Sequence, residues 1–232
     1  MAKKIISIGY EIPGYLDCYE PYDSDKSLLD ADIVVFEPDI STYHYKYPGL
    51  ITTYQGKDCY DENVSFKLKE DTNHWRMELS TALQAGKTVF VIFRKFQEIF
   101  VHTGKKETSG TGRNAKITNI VTPTNNYTFL PIGLPPLIPK EGTEIKPIHH
   151  KVFTILWSEF KRYLKYESYI DGKIDVPLFL TNTGQKPVGG LFKVGKGHLI
   201  LLPPIRYPEE FIEYDEKEEE SYWTEEAVLF GE

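Results

Sequence analysis

Short apolar runs, each ended by glycine, proline or charged residues, set the pattern at the start of this chain. Lys4 to Ile8 is one such run and stops at Gly9, and Asp32 to Phe36 is a second, which stops at Glu37. Continuous apolar runs of this length are typical of strands that are buried on both faces of a sheet. We therefore expect two buried parallel strands in the first forty residues.

A helical spacing followed by another strand pattern occupies the middle of the chain. The apolar residues that recur at this spacing are Trp75, Leu79, Ala82 and Leu83. The side chains of residues 71–73, Asp-Thr-Asn, can cap the start of a helix, and Gly86 suits its end. The β-branched and aromatic run from Thr88 to Phe93 then predicts a third central strand.

The second half of the chain mixes loops, one helix and a hairpin. Residues 103–114 predict a mobile loop, and residues 125–139 predict an extended, proline-rich segment. Phe153 to Leu164 has the apolar spacing of an amphipathic helix. Val176 to Leu180 predicts a strand, and residues 191–202 predict a hairpin around Gly195-Lys196-Gly197.

Strands that alternate with helices predict an α/β fold. The expected architecture is a three-layer, Rossmann-like, mainly parallel sheet with helices on both faces and a C-terminal β-hairpin. A chain of 232 residues is long enough for one large domain with a sizeable core. We expect that domain over residues 1–207.

The net charge of −7 is unevenly distributed. Residues 208–232 hold eleven acidic residues and one basic residue, Lys217, so the acidity is local and the rest of the chain is slightly basic. We expect this segment to be an acidic tail with the start of a helix, which docks on the domain or leads into a further segment.

Cysteine use and hydropathy bear on the compartment. The two cysteines, Cys18 and Cys59, lie far apart and form no CxxC motif, which is typical of a reducing cytoplasm. The chain has no run of the roughly 20 apolar residues that would span a bilayer. The expectation is a cytoplasmic protein with no membrane contact.

Polar residues follow the three predicted central strands. Parallel sheets usually bind ligands beyond the carboxyl ends of their strands, and the candidate ligand-binding residues there are Gly9, Tyr10, Glu37, Asp39, Arg94 and Lys95, with Asp23 from a nearby loop. The alternative is that these groups only solvate strand ends and form an ion pair. No HExxH or HxH spacing occurs, and we expect no metal site, no catalytic residue and no cofactor.

A second candidate surface combines rings and cations. Tyr43, Tyr45 and Lys46 could stack on single-stranded bases, and the loop cations Lys105, Lys106 and Arg113 could contact phosphates. The alternatives are a half-buried edge strand with alternating tyrosines and a solvated loop. The chain lacks a strong basic bias, which disfavours nucleic acid as the partner.

Two passages resemble the class I glutamine amidotransferase-like superfamily. They are Gln84 to Phe93, a helix end that leads through glycine into a strand, and Pro187 to Leu202, a late hairpin with a G-x-G turn. The resemblance follows the order of elements over about the first 205 residues, and it implies a shared scaffold. Scaffold alone does not imply function.

The catalytic residues of that superfamily are not carried over. Active members place a nucleophilic cysteine on a turn after a central strand, with a histidine and a glutamate near the end. Here Arg94 and Lys95 follow that strand, and Ile200 stands two positions after His198 where the acid would be. The resemblance therefore implies a divergent member that lacks the Cys-His-Glu set.

Three functions remain open from the sequence. The first is a non-catalytic module that binds a protein partner, a second copy or a small ligand, as a regulatory or assembly component of a larger bacterial-type intracellular complex. The second is a metal-dependent nucleotide or phosphoester hydrolase that uses Asp23, Glu37 or Asp39. The third is single-stranded nucleic-acid binding. We favour the first, and whether the chain is an enzyme stays open.

Overall fold

The structure is a computed structural model that describes residues 4–12, 16–47, 49–111, 113, 115–148 and 164–204. These residues form two α-helices, α1 (Thr42–Lys46) and α2 (Glu62–Gln84), and short 3₁₀ turns at Leu16–Cys18 and Asn126–Phe129. The strands, in chain order, are β1 (Ile5–Ile8), β2 (Tyr19–Glu20), β3 (Ile33–Phe36), β4 (Ile51–Tyr54), β5 (Lys57–Tyr60), β6 (Thr88–Ile92), β7 (Glu98–Ser109), β8 (Lys116–Asn125), β9 (Leu137–Gly142), β10 (Ile145–Pro147), β11 (Tyr166–Ile170), β12 (Val176–Thr181), β13 (Pro187–Val194) and β14 (Gly197–Leu202).

The chain divides into two compact units, and neither is contiguous in sequence. The first unit comprises Met1–Pro38, Glu78–Lys95 and Leu134–Glu232, and the second comprises Asp39–Met77 and Phe96–Gly133. The boundary near residue 207 and the acidic tail of residues 208–232 lie outside the described residues. A single domain over residues 1–207 therefore stays a prediction.

The first unit is built on an eight-stranded mixed sheet with the order β10-β12-β13-β14-β6-β3-β1-β2. The five strands from β14 to β2 pair in parallel, and β10, β12 and β13 add antiparallel pairs on the other side of β14. Its apolar positions alternate into the core, where the fully buried ones include Ile8, Val34, Phe36, Val89, Val91, Leu199 and Leu201. β9 and β11 form a separate antiparallel pair.

The prediction of a three-layer, Rossmann-like, mainly parallel sheet with helices on both faces is wrong. The described chain is mostly β, with mixed and antiparallel sheets and only two α-helices. Segments that we expected to be loops or extended chain, residues 103–114 and 125–139, contribute antiparallel strands instead, because backbone pairing there needs no continuous apolar run. The second predicted helix, Phe153 to Leu164, lies outside the described residues except for Leu164.

Local predictions fared better where apolar runs are continuous. The strands over residues 4–8, 32–36, 88–93 and 176–180 and the late hairpin are confirmed, with ends that differ by a few residues. The helix with Trp75 is also confirmed, but it begins at Glu62, where the Oδ1 atom of Asp61 accepts from the Val64 N–H at 2.8 Å. The proposed caps, Asp71 and Thr72, lie buried inside that helix.

The second unit contains a four-stranded sheet with the order β4-β5-β7-β8. β4 and β5 form a hairpin whose two turn residues, Gln55 and Gly56, have φ values of 52° and 77°. Positive φ at both turn positions is the type I′ geometry that suits the twist of paired strands. β5 and β7 pair in parallel, and β7 and β8 pair in antiparallel fashion.

Two local predictions in the second unit are wrong. The residues predicted as a mobile loop, 103–114, belong largely to β7, which continues to Ser109 and pairs with β8. The segment from Tyr43 to Tyr47, which could have been an edge strand, is mostly the short helix α1. No helix in the described part of the chain is both long and apolar enough to cross a membrane.

Candidate functional site

Arg94 follows β6 in the first unit and lies between two carboxylates. Its Nη1 atom is 3.3 Å from Oε1 of Glu37, which follows β3, and its Nε atom is 3.7 Å from Oε2 of Glu167 on β11. The side chains of Arg94, Glu37 and Glu167 are 20%, 13% and 12% exposed. Low exposure weakens solvent screening, so this cluster ties three strand segments of the first unit together.

The turn after β1 is filled by a tyrosine of the same unit. Gly9 has a φ of +70°, and the ring of Tyr22 occupies the space that a β-carbon at Gly9 would need. The Tyr22 hydroxyl donates to the carbonyl of Glu37, and the carbonyl of Tyr10 accepts from the Ser7 hydroxyl. The carboxyl ends of β1 and β3 are therefore joined by contacts within the protein.

The predicted ligand-binding residues divide between these contacts and the surface. Glu37 and Arg94 come together as an ion pair, and the Lys95 ammonium lies 3.5 Å from the exposed carboxylate of Glu141. Asp23 is exposed in a turn. Asp39 belongs to the second unit, where its Oδ1 atom accepts from the Ser41 N–H, the Ser41 hydroxyl and the Gln97 amide and so orients the start of α1.

Glu167 is the member of the Arg94 cluster that the sequence did not indicate. It is distant from Arg94 along the chain, and no local spacing pairs it with a cation. The described residues contain no group of three or more histidine, cysteine, aspartate or glutamate side chains that could hold a metal ion.

The tyrosines of α1 have opposite environments. Tyr43 is 4% exposed, and its hydroxyl donates to Oδ2 of Asp71 at 2.6 Å, while Lys67 binds Oδ1 of the same carboxylate at 2.9 Å. Tyr45 is 84% exposed. Lys46 lies beside Tyr47, with its ammonium 5.9 Å from the ring centroid. Of the two predicted stacking rings, only that of Tyr45 presents a free face to solvent.

A hydrogen-bond chain that starts at the buried Tyr60 links α1 to β5. The Tyr60 hydroxyl donates to the Ile40 carbonyl at 2.8 Å and lies 2.9 Å from Nδ1 of His44, whose Nε2 atom is 3.5 Å from the Asp58 carboxylate. Since a phenol has one proton, His44 Nδ1 is the donor to Tyr60. Burial, and then the negative charges of Asp39 and Asp58, raise the pKa of Tyr60 above its usual range.

Neither cysteine has the environment of a nucleophile. Burial raises the pKa of both the Cys18 and the Cys59 thiol above the usual value. The Sγ atom of Cys59 lies 3.5 Å from the Tyr60 carbonyl. Because the thiolate is the reactive form, a raised pKa favours the less reactive protonated thiol near neutral pH.

The distal parts of β7 and β8, with the turn between them, form a ribbon that we call the arm, residues 103–120. Every described residue from 104 to 120 is exposed, so the ribbon buries neither face. The register shifts between His102 and Lys106, and beyond this irregularity the strands are paired from Lys106 opposite Asn119 to Ser109 opposite Lys116. An isolated two-stranded ribbon is marginally stable in water, and an arm of this kind is well suited to complete its packing with another molecule.

The arm is cationic. Its charged residues are four cations, Lys105, Lys106, Arg113 and Lys116, and one acid, Glu107. None of the four cations forms an ion pair with a described residue. Lys57 on β5 of the same sheet contrasts with them, because its ammonium lies 2.6 Å from the Glu98 carboxylate.

β8 forms one edge of the four-stranded sheet, and no described strand pairs with its outer side. Just beyond β8, the Asn126 N–H donates to the Gln97 carbonyl at 3.2 Å, and the side-chain hydroxyls of Thr103 and Ser109 donate to the carbonyls of Ile120 and Lys116, so the even-numbered positions of β8 point inward. Residues of the opposite parity, Ile117, Asn119 and Val121, therefore direct their N–H and C=O groups outward. Pro123 shares this parity, which fits the preference of proline for the free side of an edge strand.

The sequence analysis did not predict the edge strand β8, although the composition of its residues indicates a strand. Residues 116–125 are rich in isoleucine, valine and threonine, which favour strands. The side chains of Ile117 and Ile120 are 66% and 38% exposed, respectively. An exposed strand of this composition with unpaired backbone groups is a template for pairing with another chain.

Comparison with known proteins finds no matching family model, no matching curated protein and no matching solved structure. The resemblance to the class I glutamine amidotransferase-like superfamily therefore stays a prediction.

Proposed function

We propose that the protein is a non-catalytic binding module that recruits a protein partner by adding one strand of that partner to the outer edge of β8. One observation carries the proposal: a ten-residue edge strand whose distal part lies in a ribbon exposed on both faces. The proposed setting is a regulatory or assembly complex in a reducing cytoplasm.

Strand addition supplies what the arm lacks. Each outward residue of β8 offers an N–H and a C=O, and an added strand pairs with these groups while its side chains contact the exposed isoleucines. Natural edge strands are usually shielded by charges, bulges or covering segments. On β8, Lys116 and Pro123 stand near the ends and leave residues 117–121 open between them.

The hydrolase alternative gains less support from the geometry. The Glu37 carboxylate is already neutralised by Arg94, and the Asp39 carboxylate accepts three hydrogen bonds that orient α1. Both acids thus have roles that explain their position without a metal or a substrate. Asp23, the third acid that the hydrolase hypothesis names, is exposed in a turn.

The test compares two proline substitutions at opposite edges of one sheet. Asn119→Pro removes an outward N–H from β8. Thr53→Pro removes one from β4, because Tyr54 and Lys57 flank a two-residue turn and pair with each other, which turns Thr53 outward. The Thr53→Pro chain is therefore the matched control, and circular dichroism checks that both variants are folded.

The measurement has two steps. Tagged full-length chain captures its partner from native lysate, and the purified partner is then titrated calorimetrically against the three chains. We expect the unsubstituted and Thr53→Pro chains to bind equally, and Asn119→Pro to weaken binding about tenfold or more, the scale of one lost main-chain hydrogen bond and a disturbed register. A protein that captures no partner, or a partner that tolerates Asn119→Pro, would overturn the proposal.

A further inference from the structure

We infer that the strand received by β8 is acidic: the partner is an extended polypeptide segment that carries several carboxylates on both of its faces. This inference rests on the proposed function and names the chemistry of its partner. It starts from the four cations of the arm, which face solvent beside the open edge and have no ion-pair partner among the described residues.

The cations lie on both faces of the ribbon. Side chains alternate along a strand, and residues opposite each other in antiparallel strands share a face. Lys106 therefore shares a face with Asn119 and, two residues along β8, with Ile117. Lys116 is opposite Ser109 and so lies on the other face.

This distribution matches a strand better than a flat anionic surface. An added strand sends successive side chains to alternate faces of the sheet, so acidic residues at neighbouring positions would meet cations on each face. Carboxylates placed beside the arm would compensate charges that no described residue compensates. Complementary charge of this kind accelerates association and disfavours partners of the wrong sign.

Nucleic acid is the other polyanion that a basic ribbon could bind, and the structure favours it less. The arm contains no aromatic residue on which a base could stack. The open N–H and C=O groups of β8 complement a peptide backbone, whereas a phosphate backbone offers acceptors alone.

The experiment measures binding of two synthetic probes to the full chain by fluorescence anisotropy. The acidic probe is a labelled twelve-residue peptide of threonine, valine and glutamate, and the neutral probe has glutamine in place of each glutamate. The arm variant carries Lys105→Gln, Lys106→Gln and Lys116→Gln. The matched control carries Lys69→Gln, Lys140→Gln and Lys146→Gln, three exposed lysines outside the arm.

We expect the acidic probe to bind at least tenfold more tightly than the neutral probe and to weaken as salt is raised. The arm variant should lose at least tenfold in affinity for the acidic probe, and the control should lose none. Equal binding of both probes, no binding of the acidic probe, or an unaffected arm variant would each overturn the inference. Tighter, salt-sensitive binding of a labelled oligothymidylate would overturn it in favour of nucleic acid.

The Asn119→Pro chain separates the two proposals. If both probes bind the unsubstituted chain equally and neither binds the Asn119→Pro chain, the result supports strand addition and contradicts the preference for an acidic strand. If the acidic probe binds the Asn119→Pro chain as tightly as the unsubstituted chain, the cations act without the edge, and the proposed function fails.

Discussion

Arg94 is the residue on which the polar cluster of the first unit depends. Replacing it with leucine leaves the Glu37 and Glu167 carboxylates mostly buried without their cation, so we expect Arg94→Leu to lower the free energy of unfolding by about 3 kcal/mol. Adding Glu37→Gln and Glu167→Gln to that variant should recover most of the loss, because neutral amides tolerate burial better. Urea unfolding measures both. A triple variant no more stable than Arg94→Leu would contradict this account of the cluster.

Tyr60 should give the second unit a distinct dependence on alkaline pH. Its folded pKa is raised, so above about pH 10 the unfolded chain has lost the phenolic proton while the folded chain keeps it. Stability then falls as pH rises, by about 1.4 kcal/mol per pH unit for this one group. Below pH 10 both states are protonated and the contribution is complete.

The Tyr60→Phe variant tests this dependence by urea unfolding at pH 8 and pH 11. At pH 8 it should be about 1–2 kcal/mol less stable than the unsubstituted chain, because the bonds to Ile40 and His44 are lost. At pH 11 the difference in the free energy of unfolding between the two chains should be smaller. The exposed Tyr45 supplies the control, since Tyr45→Phe should change nothing at either pH. If this difference were the same at pH 8 and pH 11, the pKa of Tyr60 would not be raised in the folded protein.

At the residue scale, the sequence analysis correctly grouped residues that follow neighbouring strands of the sheet. Glu37 and Arg94 were grouped because the ends of neighbouring parallel strands meet, and they form an ion pair. Asp39 was grouped with them on the same ground, but its carboxylate orients the start of α1 instead. Glu167 was out of reach because its contact with Arg94 depends on how β11 is placed, which no local pattern encodes.

The arm is the element on which the proposed function rests, and we expect its residues to add little to folding. Because every described residue from 104 to 120 is exposed, replacing residues 107–118 with Asn-Gly between the paired Lys106 and Asn119 should change the free energy of unfolding by no more than about 0.5 kcal/mol. Urea unfolding measures the change.

A buried substitution shows that the assay for the shortened arm is sensitive. Trp75→Ala, within the core, should cost about 3–5 kcal/mol in the same experiment. If the shortened arm cost as much, the ribbon would be part of the folding core, and its role as a docking element would lose its basis.

Elements were predictable where they bury apolar residues. β1, β3 and β6 are continuous apolar runs with buried side chains, and the pattern alone places them. β7 and β8 bury almost nothing over the arm, so no hydrophobic period marks them, and their glycine, serine and lysine content favoured a loop. The hairpin of β4 and β5 was missed although Gln55-Gly56 between two strand-forming runs is a recognisable type I′ turn.

The segments of the two units alternate along the chain, and this explains why the predicted fold class is wrong. The alternation of strands and helices assumed that each segment adds to one parallel sheet in order. Instead, the chain leaves the first unit at Pro38 and at Lys95 and builds a second sheet from the intervening segments. The two arrangements differ in which distant segments of the chain pair with each other. The hydropathy pattern indicates only which residues are buried locally, so it cannot distinguish them.

Interleaving predicts that a cut in the arm leaves the protein folded. β6 lies before the arm and β14 after it, and the two pair in parallel from Thr88 with His198 to Ile92 with Leu202. A chain with a site-specific protease sequence inserted after Thr111, once cleaved, should elute as one species in native buffer and as two fragments in urea. Separation of the fragments in native buffer would contradict the shared sheet.

Amide hydrogen exchange along β8, followed residue by residue by NMR, tests the central claim most directly. In the free protein, the N–H groups of Ile117, Asn119 and Val121 should exchange rapidly, while those of Thr118 and Ile120, which face β7, should exchange slowly. Saturation with the captured partner should slow exchange at the three outward positions. Outward amides that are already protected in the free protein, or that stay rapid in the complex, would contradict strand addition at this edge.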